Sequence, residues 1–107
     1  MSWYDAAGVD EVAPGTTRMV DIAGKRLAIC NAKCDTDEGF YTIDNKCTHD
    51  GGPLNQGFLD GCQIECPRHG ARFDVRTGKV LRLPAVRPVH SYATRVTGGR
   101  IEVEVGD

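Results

Sequence analysis

The sequence has no run approaching the ~18 consecutive apolar residues that span a bilayer, and its opening Met1-Ser2-Trp3-Tyr4-Asp5 lacks the basic-then-apolar order of a secretory signal. Together these absences predict a cytoplasmic protein without a membrane segment. Long amphipathic helical periodicity, internal repeats, low-complexity tracts and linkers are all missing. One turn or so over Asp5–Val12 is the only helix expected. Aromatic residues make up 7% of the 107 residues, and basic side chains form no clustered stripe with aromatics between them, which excludes a nucleic-acid surface. No nucleophile–base pair and no flavin or nicotinamide fingerprint is present, so the chain is not expected to be an enzyme. What remains is 40% apolar, enough for one compact domain over residues 1–107 with a modest core.

The formal charge of −2 conceals an asymmetry: residues 1–65 hold 11 acidic and 5 basic side chains, a net of −6, whereas residues 66–107 hold 4 acidic and 8 basic, a net of +4. A solvated surface accounts for this pattern, and a docking patch for a charged protein is the sharper alternative. Five cysteines in so short a chain could suggest a secreted disulfide scaffold. The odd count and the lack of an export signal favour thiols for metal instead.

Turn signals at short intervals with β-rich runs between them predict an all-β domain. Thr17–Asp21 and Arg26–Asn31 flank a hairpin turn at Ala23-Gly24-Lys25, and Phe40–Ile43 reads as a strand. Gly57–Leu59 and Cys62–Glu65 flank Asp60-Gly61, a hairpin that delivers Cys66. Ala71–Val75 and Lys79–Leu83 surround Arg76-Thr77-Gly78, and Ser91–Thr97 and Arg100–Val105 surround Gly98-Gly99. The final run alternates cleanly, with Ile101, Val103 and Val105 on one face and Glu102 and Glu104 on the other.

Two motifs carry the chemistry: Cys47-Thr48-His49 and Cys66-Pro67-Arg68-His69, separated by the 16 residues from Asp50 to Glu65. Each lies in a Gly- and Pro-rich stretch able to fold closely around an inorganic centre. Two thiolates and two imidazoles can bind zinc, or a [2Fe-2S] cluster with cysteines on one iron and histidines on the other. A zinc finger usually groups its cysteines in one knuckle and its histidines on a following helix. Here each loop supplies one of each and no helix follows, which suits a two-iron centre.

Cys47-Thr48-His49, then Gly52 and Leu54, then Cys66-Pro67-Arg68-His69-Gly70, then Phe73-Asp74, Thr77-Gly78 and Pro84-Ala85, resembles the Rieske ferredoxin family over nearly the whole chain. The resemblance implies a fold of three antiparallel β-sheets, with the cluster held at the tip between loops 47–55 and 66–72 and a cluster-binding part at about 44–84. It implies one [2Fe-2S] cluster on Cys47, His49, Cys66 and His69, with His49 and His69 at the solvent edge as the electron's exit. It also implies a monomeric one-electron carrier between a flavoprotein, NAD(P)H-dependent reductase and a terminal non-heme iron oxygenase. Two rival readings are a small Rieske-like subunit of an assimilatory nitrite reductase and a zinc-stabilised interaction module. The resemblance implies a low potential too. The positions where respiratory members carry a loop-bridging cysteine pair are Gly52 and Arg68, and their Ser and Tyr hydroxyl donors are replaced by Ala71 and Phe73.

The remaining candidates have plainer readings. Cys30 and Cys62 read as small apolar fillers in strand-like segments, and Cys34 as a free thiol in a polar loop. His90 reads as a surface histidine far in sequence from both motifs, Trp3 and Tyr4 as edge packing, and Asp50 and Arg68 as solvated loop charges.

Overall fold

The computed structural model describes residues 2–34, 37–48, 51–68 and 70–106, without the side chains of residues 37 and 38. Among these, eleven strands form three antiparallel sheets. The first sheet has the order β1-β11-β10, from Ser2–Gly8, Arg100–Val105 and Thr94–Thr97. The second has the order β2-β3-β4-β9, from Thr17–Ile22, Lys25–Cys34, Asp37–Asp44 and Ser91–Tyr92. The third, β5-β6-β7-β8, is a meander of Phe58–Asp60, Gln63–Glu65, Arg72–Asp74 and Val80–Arg82. The all-β expectation and the three-sheet architecture hold.

Strand β3 organises the interior. Its odd positions Leu27 and Ile29 pack towards the first sheet, Leu27 with Val103 and Val105 and Ile29 with Ala7, Val12 and Ile101. The even positions Ala28, Cys30, Ala32 and Cys34 belong to a larger cluster with Leu54, Ile64, Phe73, Val75 and Ala85 of the third-sheet side. A strand buried on both faces loses its apolar–polar alternation, which is why Leu27-Ala28-Ile29-Cys30 reads as a continuous apolar run. The small side chains at the even positions let the third sheet approach closely.

One local expectation is narrowed and two are corrected. The one turn expected within Asp5–Val12 is present as a 3-10 turn at Val9–Glu11, while the residues through Gly8 belong to β1, which pairs with β11. The run Ser91–Thr97 is two strands, because β9 pairs with β4 and β10 pairs with β11. The chain changes sheets at Ala93, a step that composition does not mark. Cys34 lies at the end of β3 rather than in a polar loop. Trp3, on edge strand β1, packs as anticipated, with the Arg95 guanidinium 4.0 Å from its ring centroid.

Candidate metal centre

The two cysteine motifs occupy the connections β4–β5 and β6–β7, and their backbones are built alike. In the first, the Cys47 N–H donates to the Gly52 carbonyl at 2.8 Å and the Gly51 N–H donates back to the Cys47 carbonyl at 2.7 Å. The second repeats the pattern: the Cys66 N–H donates to the Ala71 carbonyl at 2.7 Å, and the Gly70 N–H to the Cys66 carbonyl at 3.2 Å. The glycine four residues past each cysteine takes a left-handed φ, +78° at Gly51 and +76° at Gly70, which a side chain would oppose. Sequence spacing alone does not reveal this matched pair, since the histidines stand at different offsets from their cysteines.

Both thiols point inward. Cys47 and Cys66 are each 1% exposed and share one apolar cluster with Leu54, Ile64, Ala71, Phe73 and Ala85. The structure therefore places both cysteines that the sequence singles out in one buried cluster. His49, His69 and Asp50 lie outside the described residues, and among the described residues no group of three or more His, Cys, Asp and Glu is assembled. Two cysteines buried in one apolar interior suit a metal cluster: thiolates buried there would be costly charges, and coordination to iron offsets that cost. The donor set at the described positions fits such a group.

The first loop is clasped at its base. Asn45, 5% exposed, donates through Nδ2 to Asn55 Oδ1 at 2.8 Å and accepts the Asn55 N–H on Oδ1 at 2.7 Å. Thr17 Oγ1 donates to the Asn55 carbonyl at 2.8 Å, fastening the loop to β2. Asn45→Ala removes both bonds and strands the Asn55 side chain, so the unfolding free energy should fall by about 2 kcal/mol. Urea titration checks this, and an unchanged midpoint would show that the clasp is not a stabilising element. At the loop's tip Thr48 Oγ1 donates to the Arg87 carbonyl at 2.6 Å, and the Val89 N–H donates to the Gly78 carbonyl at 2.9 Å. The connection 83–89 is thereby drawn against the centre, with Ala85 fully buried.

The other cysteines depart from expectation. Cys34 and Cys62 are joined in a disulfide, with their Cα atoms 4.8 Å apart, so Cys34 is no free thiol and Cys62 no simple filler. The Asp60-Gly61 hairpin carries Cys62 onto the end of β3, an approach made by tertiary packing that sequence spacing does not contain. Cys30 remains a thiol in the core, its pKa pushed up to about 12 by desolvation, as a protonated apolar filler requires. His90 is a surface histidine as expected, and although far in sequence from the first motif it lines one shallow cavity with Cys47, Thr48, Gly51 and Arg87. Arg68 is exposed on the second loop.

Comparison with known proteins adds an independent line. The family model described as the Rieske [2Fe-2S] domain matches residues 2–93. The ferredoxin component of the naphthalene 1,2-dioxygenase system of Pseudomonas aeruginosa is 35% identical over 96% of this chain and 95% of its own length. Among solved structures, the ferredoxin of carbazole 1,9a-dioxygenase from Nocardioides aromaticivorans IC177 superimposes with a TM-score of 0.87 at 35% identity, covering 96% of this chain and 97% of that one. A complex of reduced oxygenase and oxidized ferredoxin in carbazole 1,9a-dioxygenase contains a chain that matches with a TM-score of 0.83 at 33% identity, covering 94% of this chain and 91% of that one.

Proposed function

Because the chain belongs to the Rieske [2Fe-2S] domain family, we propose that it holds its one cluster through Cys47 and Cys66 on one iron and His49 and His69 on the other, and that it carries single electrons to a terminal non-heme iron oxygenase. The observation that carries this reading is the burial of two cysteines in one apolar cluster, each presented by a loop of matched backbone. When bound, such a cluster accepts and returns one electron with little rearrangement. The chain supplies the rest. Cys47 and Cys66 bring negative charge to the buried side, the apolar wall of Leu54, Ile64, Ala71, Phe73 and Ala85 excludes water, and the paired loop hydrogen bonds hold both sulfurs in place. The ferredoxin–oxygenase complex among the structural relatives supports an oxygenase as the electron's destination.

The finer parts of the reading are a flavoprotein, NAD(P)H-dependent reductase as the electron's source, a monomeric state, a cytoplasmic location and a single domain over 1–107 with its cluster-binding part at about 44–84. The third sheet and the two cysteine loops within those bounds support the last of these. No helix among the described residues is long and apolar enough to cross a membrane.

Iron and acid-labile sulfide analysis tests the assignment. The isolated protein should contain about two irons and two sulfides per chain, and Cys47→Ser or Cys66→Ser should lose both. Cys30→Ser should keep them. One zinc per chain without sulfide would sink the proposal in favour of the zinc module, whereas permanent co-purification with a larger catalytic chain would favour the reductase-subunit reading.

A further inference from the structure

We propose that Cys34 and Cys62 form a reversible thiol–disulfide site, opened by a low-molecular-weight thiol of the glutathione type and closed by its disulfide, and that opening shortens the lifetime of the cluster. The second half rests on the cluster reading above; the first half does not.

The two sulfurs differ in access. Cys34, at the end of β3, is 2% exposed and belongs to the core cluster. Cys62 is only partly buried and completes the two-residue turn between β5 and β6, with Asp60 and Gly61 exposed beside it. Gly61 takes a φ of +57°, so the turn carries no side chain there to cover the bridge. Exchange requires a thiolate to reach a sulfur of the bridge, and the sulfur open to it is that of Cys62. Cys30 shows the contrast: fully buried, with its thiol pushed up to about 12 by desolvation, it takes no part in exchange.

In the opening direction a thiolate attacks Cys62 Sγ. A new S–S bond joins the two, the Cys34–Cys62 bond breaks, and Cys34 leaves with the electron pair and takes a proton from water. A second thiolate then displaces Cys62 from the mixed disulfide, and Cys62 takes a proton in turn. The bridge has gained two electrons and two protons, and two small thiols have become one disulfide. Closing runs the same steps backwards.

Strand β6 carries the effect to the cluster. Its three residues, Gln63–Glu65, are all that separates Cys62 from Cys66. The Cys62 carbonyl also accepts the Val75 N–H at 2.9 Å, just past β7, the strand that pairs with β6 and follows the second cysteine loop. The bridge therefore fixes to β3 the hairpin that delivers a cluster cysteine. Opened, the pair remains as two small apolar side chains, so the fold and the visible spectrum persist while local opening around Cys66 becomes easier.

The holoprotein is equilibrated anaerobically in mixtures running from glutathione disulfide to glutathione, quenched with N-ethylmaleimide in denaturant and mapped by mass spectrometry. Cys34 and Cys62 should pass together between disulfide and thiol, in both directions. A bridge that stays closed in glutathione, or does not re-form in glutathione disulfide, overturns the site. With glutathione disulfide, Cys34→Ala should take one glutathione, on Cys62, and Cys62→Ala none; modification of Cys34 overturns the order of attack. Iron release to a chelator measures the coupling. Opened wild type should lose iron about tenfold faster than the closed form. Cys34→Ala/Cys62→Ala should show the fast rate in both buffers, which separates opening from a direct effect of glutathione on iron. Equal rates for open and closed wild type overturn the coupling. A protein isolated without iron and sulfide defeats the cluster reading instead, and the thiol mapping still decides the exchange.

Discussion

Cys34→Ala/Cys62→Ala is expected to lose roughly 3 to 4 kcal/mol of unfolding free energy, the chain-entropy value for a bridge that closes a loop of this length. The two cysteines are 28 residues apart in sequence. Their bond joins the end of β3, in the central sheet, to the turn between β5 and β6, so it fastens the sheet carrying the second cysteine loop to the strand that organises the core. Alanine is the appropriate replacement because Cys34 is 2% exposed and a serine hydroxyl there would add its own desolvation cost. Guanidinium titration gives the stability change, and the visible spectrum of the cluster should survive, since neither residue belongs to the cysteine loops. Thiol counting supplies a second readout. Cluster-free protein unfolded without reductant should titrate as the three thiols Cys30, Cys47 and Cys66. Five reactive thiols would show that the bridge is not formed in the isolated protein, and full stability of the double variant would show that it fastens nothing.

Ala71→Ser/Phe73→Tyr is expected to raise the reduction potential by several tens of millivolts per donor from a wild-type value near the ~−150 mV end of the Rieske range. Both residues are fully buried and share the apolar cluster of Cys47 and Cys66, so a hydroxyl introduced at either position enters the surroundings of the thiolate sulfurs. The reduced centre carries one more negative charge than the oxidised one. A donor that strengthens its bond on reduction stabilises the reduced form and raises the potential. With charge-assisted hydrogen bonds contributing roughly 1.5 to 3 kcal/mol, a partial strengthening accounts for the expected shift. Protein-film voltammetry on wild type, both single variants and the pair measures it. A wild-type potential well above zero, or a double variant that does not move upward, would contradict the low-potential assignment.

Much of the centre was legible in the chain because its chemistry is local. Cys47-Thr48-His49 and Cys66-Pro67-Arg68-His69 announce a metal site by residue type and spacing, and the glycines after them mark backbones that must turn sharply. The hairpins at Ala23-Gly24 and Asp60-Gly61 were equally local: Gly24 and Gly61 take the positive φ that tight reversal needs, and the strands on either side pair in register. The amino-terminal strand was not legible, because Ser2–Gly8 takes its extended form by pairing with β11 at the far end of the chain. The division of Ser91–Thr97 between two sheets had no marker for the same reason.

The sequence by itself thus determined an all-β chain with two loops that carry metal-ligand residue types, since strand propensity, turn residues and side-chain types act over a few neighbouring positions. Only the tertiary structure decided which distant segments meet. It set Cys34 against Cys62, placed the small side chains of β3 beneath the third sheet, and drew the connection 83–89 against the cysteine loops. The physical reason is that these contacts depend on how three sheets pack. Packing is set by the summed burial of surfaces that lie far apart in the chain, and no short stretch of residues contains that information.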